Sequence, residues 1–137
     1  MANPLSHKTL DWVGGVDGWI EMIDQTLLPQ RLEVIACRDV ETLWRAIRSL
    51  QVRGAPAIGV AVAMGVVLGI ANARTEDEFF ENLESTCSYL ATSRPTAVNL
   101  FWALDRMAKR AESLRGQPLD MLKQGILVEA RAIRDED

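Results

Sequence analysis

The residues best suited to chemistry in this chain stand at a junction between a loop and an apolar segment. Arg53 and Gly54 precede Ala55 and Pro56, where an uninterrupted apolar run begins. The first amides of a helix have no intrahelical partner and carry the positive end of the helix dipole, so they attract a phosphate or carboxylate. Gly54 allows close backbone approach, and the Arg53 guanidinium adds a charge-assisted contact. The junction therefore predicts an anion site, with a simple helix start beside a solvated arginine as the alternative.

A second junction repeats this arrangement further along the chain. Arg94 follows Ser93 and stands directly before Pro95 and Thr96, at the predicted start of another helix. Two such helix starts brought together would form a two-arginine pocket suited to a phosphorylated ligand. Chance is the alternative, since prolines are common at helix starts and arginines are common anywhere.

The apolar run itself predicts a buried central helix at about residues 56–71. A membrane span is the alternative, and Gly65 and Gly69 have the spacing found in membrane helix dimers. The run from 55 to 71 would give about 25 Å of helix at ~1.5 Å per residue, against a hydrocarbon core of ~30 Å. A central helix is favoured over a membrane span because the neighbouring helices each carry an apolar stripe that needs a partner.

Four further helices are predicted from start signals followed by apolar residues at helical spacing. The starts are Asp39, the capping-box pair Thr75 and Glu78, Pro95 and Pro118. Cys87 falls on the apolar face of the second helix and is predicted to be a core residue. The apolar stripes, in chain order, are Val40, Leu43, Trp44, Ile47 and Leu50; Phe79, Leu83, Cys87 and Leu90; Ala97, Leu100, Phe101, Leu104, Met107, Ala108 and Ala111; and Leu119, Leu122, Ile126, Ala130 and Ile133.

The region before Asp39 has the residue pattern of short strands. Residues 10–13, 19–23 and 32–36 are short segments rich in β-branched and aromatic side chains, separated by glycines and a proline. They predict a small antiparallel sheet. The fold class is therefore α+β and mainly helical, with the sheet packed on four to five helices. One domain of residues 1–137 is expected, with a β part at about 1–38 and a helical part at about 39–137.

Composition, net charge and cysteine spacing argue against several classes of function. The 137 residues are 48% hydrophobic and 25% charged, as in a soluble globular protein, and the net charge of −4 argues against nucleic-acid binding. Cys37 and Cys87 form no CxxC pair, so neither a zinc site nor a disulfide framework is indicated. No metal or cofactor is predicted. The first residues do not have the pattern of a secretory signal, and reduced thiols fit a cytoplasmic protein.

Three stretches of the sequence resemble one enzyme family. They are DQTLLPQRLEVIACRDVETLWRAI (24–47), VRGAPAIGVAVAMGVVLGI (52–70) and SRPTAVNLFWALDRM (93–107). Together they look like the N-terminal part of methylthioribose-1-phosphate isomerase, in the superfamily that includes the regulatory subunits of eukaryotic translation initiation factor two B. The resemblance implies that Arg53, Gly54, Ala55 and Arg94 contact a phosphorylated sugar.

The resemblance also implies an activity. These isomerases convert 5-methylthioribose 1-phosphate to 5-methylthioribulose 1-phosphate in methionine salvage, and the full-length proteins are expected to be homodimers. Their catalytic cysteine and aspartate lie in a C-terminal Rossmann-like domain that this chain does not include, so no residue here is assigned a catalytic role and the chain alone is expected to be inactive. A non-catalytic regulatory relative, or an isomerase of ribose 1,5-bisphosphate or 5-deoxyribose 1-phosphate, is the alternative.

Overall fold

The computed structural model describes residues 10–49, 51–52 and 54–136; Arg53 and Leu50, which figure in the predictions above, lie outside the described residues. Among these described residues, three strands precede five α-helices, so the predicted α+β, mainly helical class is confirmed. The elements are β1 (Leu10–Val13), β2 (Trp19–Ile23), a 3-10 turn (Gln25–Leu27), β3 (Val34–Cys37), α1 (Val40–Arg48), α2 (Ala55–Ile70), α3 (Glu76–Ala91), α4 (Val98–Ser113) and α5 (Leu119–Glu136).

The sheet is antiparallel with the order β1-β2-β3. Leu10 pairs with Met22, and Ile20 pairs with both Trp12 and Cys37. These five side chains are all buried, so they define the face that packs on the helices. The third strand begins at Val34, two residues later than the predicted start, and Leu32 lies in the loop before it.

Side chains complete the starts of α1 and α3 as the sequence predicts. The Asp39 carboxylate accepts a hydrogen bond from the Thr42 amide at 2.8 Å, and the Thr75 hydroxyl accepts one from the Glu78 amide at 3.1 Å. The return bond of the capping box runs from the Arg74 amide to Glu78 at 3.2 Å, one residue before the cap. These two helix starts are satisfied within the chain.

The central position of α2 is confirmed, since it contacts the other four α-helices together with β1 and β2. Its glycines let neighbouring side chains approach closely. A Cβ atom on Gly69 would overlap Thr86, and one on Gly65 would lie 2.8 Å from Leu90 Cδ1. In the part of the chain that the structure describes, no helix is long and apolar enough to cross a membrane.

Two predictions about α4 were wrong in detail, and a third, about Cys87 on α3, holds only in part. Helix α4 starts at Val98 instead of Pro95, because the chain makes a turn closed by a hydrogen bond from the Ala97 amide to the Arg94 carbonyl at 3.0 Å. Phe101 is 44% exposed, and Ala103 takes its place on the buried face. Cys87 is only half-buried, at the edge of the core.

Candidate anion-binding site

The two junctions that the sequence singled out lie on the same cavity, which we call the junction cavity. It has a volume of about 390 Å³ and lies between the starts of α2 and α4. Gly54 comes from the first junction and Arg94 from the second, so the structure brings these two predicted site residues together. The lining residues are Gly54, Ile58, Arg94, Thr96, Ala97, Val98 and Asn99.

The start of α2 is built around a glycine with an unusual backbone conformation. Gly54 has φ +98° and ψ 131°, a region that residues with a Cβ atom rarely adopt. Its carbonyl accepts the first helical hydrogen bond from the Ile58 amide at 3.0 Å. Pro56 stands in the first turn, where a missing amide costs nothing. Glycine has no side-chain oxygen, so the helix cannot be capped by its own N-cap residue.

The start of α4 is also uncapped. Its N-cap residue is Ala97, an extended residue with φ −83° and ψ 106°, and a methyl group cannot accept a hydrogen bond from the first amides. Both helix starts on the junction cavity therefore offer amide donors that no N-cap side chain occupies. The positive ends of two helix dipoles lie beside the same space.

Arg94 adds a charged donor to these amides. The side chain is partly buried, and among the described residues its buried Nη1 atom has no hydrogen-bond partner. Because Arg94 lines the junction cavity, its guanidinium is a charged hydrogen-bond donor beside any acceptor that enters there. The preceding Ser93 is fully buried, and its hydroxyl donates to the Leu90 carbonyl at 2.7 Å, which fixes the turn that carries Arg94.

Thr96 and Asn99 are polar lining residues that sequence reasoning did not select. Asn99 also lines a second cavity, of about 300 Å³, where Trp102 is 50% exposed. The signal that could have identified both is their position, within two residues of the uncapped start at Ala97. The second cavity is lined by Pro56, Gly59, Val60, Asn99, Trp102, Ile133 and Glu136.

Glu136 does not make this second cavity a free acidic site, because an arginine neutralises it. The Arg106 guanidinium donates two hydrogen bonds to the Glu136 carboxylate, both at 2.7 Å, and a third to Glu129 at 2.6 Å. The bonds to Glu136 and then Glu129 raise the pKa of Arg106 above its usual range. This ion-pair network joins the end of α5 to α4.

The two cysteines lie away from the junction cavity. Burial raises the pKa of the Cys37 thiol to about 11, and the charge of Asp39 acts in the same direction. Burial alone raises the pKa of the Cys87 thiol to about 11. Both thiols are therefore protonated at neutral pH. Among the described residues, no group of three or more histidine, cysteine and acidic side chains is arranged to hold a metal ion.

Comparison with known proteins assigns the chain to a family. The model of the initiation factor 2 subunit family matches residues 51–137. The chain is 50% identical to 5-deoxyribose 1-phosphate isomerase of Moorella thermoacetica over 123 residues, which are 88% of this chain and 35% of that protein. It is 47% identical to methylthioribose-1-phosphate isomerase of Trichlorobacter lovleyi over 135 residues, 97% of this chain and 38% of that protein.

Two solved structures share the fold. The chain superimposes on 5-methylthioribose 1-phosphate isomerase from Pyrococcus horikoshii with a TM-score of 0.87 and 41% identity, covering 94% of this chain and 36% of that one. It superimposes on subunit delta of translation initiation factor eIF-2B from A. fulgidus with a TM-score of 0.84 and 41% identity, covering 94% and 37%. The chain thus spans little more than a third of the length of these relatives.

Proposed function

The chain belongs to the initiation factor 2 subunit family, and on that premise we propose that it is the substrate-contacting N-terminal part of an aldose–ketose isomerase. The proposed reaction converts 5-methylthioribose 1-phosphate to 5-methylthioribulose 1-phosphate in methionine salvage. Arg53, Gly54, Ala55 and Arg94 are the proposed contacts to the phosphorylated sugar. The catalytic groups are proposed to belong to a further domain of the full-length protein, which is proposed to act as a homodimer in the cytoplasm without a cofactor.

One observation supports this proposal above the others. The junction cavity joins two helix starts without side-chain caps, at Gly54 and Ala97, to the charged side chain of Arg94. A phosphate has enough acceptor oxygens to take hydrogen bonds from both helix starts and from a guanidinium at once. The names of the relatives, which are isomerases of sugar 1-phosphates, agree with this ligand chemistry.

The proposed reaction explains why several protein groups must bind the phosphate and fix its position. The phosphate on the anomeric carbon prevents the sugar from opening to a free aldehyde, so the ring must open while the phosphate is held and hydrogen then moves between C2 and C1. Fixing the phosphate aligns these carbons with the acid–base groups that a second domain would supply. Binding energy from the non-reacting phosphate then contributes to turnover.

A second substrate has a specific observation in its favour. The relative from Moorella thermoacetica, at 50% identity, is an isomerase of 5-deoxyribose 1-phosphate. This sugar shares the 1-phosphate, so the junction cavity would hold both ligands in the same way. A non-catalytic role has its own support in the likeness to subunit delta of translation initiation factor eIF-2B.

An isomerase assay of the full-length protein tests the proposal. We expect turnover of at least one of the two sugar 1-phosphates, and we expect Arg53→Ala and Arg94→Ala each to weaken binding and turnover without unfolding the protein. The circular dichroism spectrum and melting temperature check the fold of each variant. Full-length protein that turns over neither sugar would favour the regulatory role, and wild-type kinetics in both variants would remove the assigned contacts.

The 137-residue chain provides a companion test. We expect it to have no isomerase activity, because the acid–base groups of the proposed reaction lie outside it. Turnover by purified chain, with an equally purified Arg94→Ala chain as the control for contaminating host enzyme, would overturn this assignment.

A further inference from the structure

The chain that leads into the first junction is tied to a buried carboxylate. Asp24 is 7% exposed and is the only acidic side chain buried to this degree among the described residues. Its Oδ1 atom accepts hydrogen bonds from the Thr26 amide at 2.9 Å and the Thr26 hydroxyl at 2.5 Å. Its Oδ2 atom accepts one from Gln51 Nε2 at 2.9 Å. The carboxylate is therefore well satisfied, as a buried charge must be.

Gln51 is held through each of its polar groups. Its amide donates to the Ala46 carbonyl at 2.9 Å, and its carbonyl accepts from the Gln25 amide at 3.0 Å. In the side chain, Nε2 donates to Asp24, and Oε1 accepts from the Ser49 hydroxyl at 3.3 Å. The residue is thus fixed both to the end of α1 and to the turn that follows β2.

This attachment lies three residues before Gly54, where α2 begins at the junction cavity. Val52, which directly follows Gln51, is buried. Its amide also donates to the Ala46 carbonyl, at 3.3 Å. A loop that is ordered before the ligand arrives has less conformational entropy to lose on binding, and it presents its donors in one geometry. The bonds to Asp24 and Ala46 hold residues 51–52 in this way, close before Gly54.

We propose that Asp24 and Gln51 are positioning residues for the sugar-phosphate site, because their side-chain hydrogen bond fixes the chain that leads to Gly54. The proposal rests on the proposed function of the junction cavity and adds two residues that do not line it. Their effect is on binding, through the geometry of the start of α2. The hydrogen movement between C1 and C2 is carried out by other groups.

Exchange of the two side chains tests the proposal in the full-length protein. Gln51→Glu sets two carboxylates against each other, and we expect KM for 5-methylthioribose 1-phosphate to rise about tenfold while kcat stays within about twofold. Adding Asp24→Asn restores a carboxylate–amide pair with the roles reversed, since the oxygen of the introduced side-chain amide can still accept from Thr26. We expect the double variant to return KM to within about threefold of the wild-type value.

A matched control separates positioning from general loss of stability. Thr75→Ala removes the N-cap of α3, which lies beyond the opposite end of α2, and we expect it to lower the melting temperature without changing KM. A KM that stays at the wild-type value in Gln51→Glu, or a double variant no better than Gln51→Glu, would overturn the proposal. So would a rise in KM of equal size in Thr75→Ala.

Hydrogen–deuterium exchange keeps this test distinct from that of the proposed function. Without any substrate, we expect the Ile58 amide, which donates to the Gly54 carbonyl, to exchange faster in Gln51→Glu and to recover in the double variant. Wild-type protein that turns over neither sugar phosphate would refute the proposed function while leaving this readout intact. Unchanged exchange in Gln51→Glu would refute the fixing of the start of α2 by Asp24 and Gln51.

Discussion

The starts of α1 and α3 differ from the starts of α2 and α4 in how their first amides are satisfied. Asp39 and Thr75 supply side-chain oxygens that accept hydrogen bonds from Thr42 and Glu78. At the other two starts the N-cap residues are Gly54 and Ala97, which have no such oxygen. The capped starts are complete within the chain, whereas the uncapped pair lies on one cavity.

The starts of α2 and α4 lack the local stabilisation that an N-cap side chain provides. Replacing a good N-cap residue by alanine costs about 1 kcal/mol, while glycine costs only a few tenths. Of the two N-cap residues, Ala97 is therefore the stronger indication of a ligand site, because Ser, Asp or Asn at this position would stabilise α4 better. An anion in the junction cavity would take the place of the missing cap, with Arg94 beside it.

The largest expected effect comes from removing the charged donor at the uncapped pair. Arg94→Ala in the full-length protein should lower kcat/KM for the sugar phosphate about 100-fold, or about 2.7 kcal/mol, as expected for hydrogen bonds to a charged group. Arg45→Ala is the control, since this exposed arginine on α1 pairs only loosely with Glu41 at 3.6 Å. Steady-state kinetics measure both variants, and an equal loss in the two would remove the distinction between the helix starts.

A smaller effect, on stability alone, is expected at the capped pair. Asp39→Ala and Thr75→Ala should each lower the free energy of unfolding by about 1 kcal/mol, because each leaves a helix amide without its acceptor. Urea denaturation measures the loss, and kcat/KM should stay within about twofold of wild type. If either variant lost turnover to the same extent as Arg94→Ala, the capped starts would also belong to the site.

A further prediction, which involves no substitution, concerns the thiol on the capped helix α3. Cys87 borders a separate cavity between α3 and α4, and burial raises its pKa to about 11. In the 137-residue chain at pH 7 it should react with iodoacetamide on the order of 100-fold more slowly than a free thiol, and the rate should rise as pH approaches 11. Mass spectrometry after timed alkylation gives the rate. Rapid alkylation at pH 7 would identify Cys87 as an activated thiol. The reactive site would then lie between α3 and α4, away from the junction cavity.

Much of the fold could be predicted because local signals agree with the final packing. The caps at Asp39 and Thr75, the apolar face of α5 and the burial of α2 all follow from residue type and spacing. The start of α4 could not be predicted, since Pro95 belongs to a turn that Ser93 and Arg94 stabilise through their backbone. Phe101 was misassigned because helical spacing alone does not separate it from Ala103.

The site was predictable to a lesser extent. Arginine beside a helix-start proline singled out both junctions, and the structure brings Gly54 and Arg94 to the same cavity. The attachment of Gln51 to Asp24 joins residues 27 positions apart in the chain, and no local pattern indicates it. Thr96 and Asn99 were missed for a related reason, because their place on the cavity depends on where α4 begins.

Ala97→Asp tests most directly the claim that a ligand takes the place of the missing cap. Ala97 has φ −83° and ψ 106°, close to the −72° and 103° at which Asp24 caps the 3-10 turn with its own carboxylate. An aspartate at position 97 should therefore cap α4 and raise the free energy of unfolding by about 1 kcal/mol. Ala97→Ser is the matched control, since it adds a neutral cap without the charge.

The decisive measurement is the affinity of the full-length variants for 5-methylthioribose 1-phosphate by isothermal titration calorimetry, paired with their stability. We predict that Ala97→Asp is more stable than wild type yet binds the ligand at least about tenfold more weakly, because its carboxylate occupies the amides and repels the phosphate. Ala97→Ser should show a smaller loss of affinity. A stabilised Ala97→Asp protein with wild-type affinity would contradict the account.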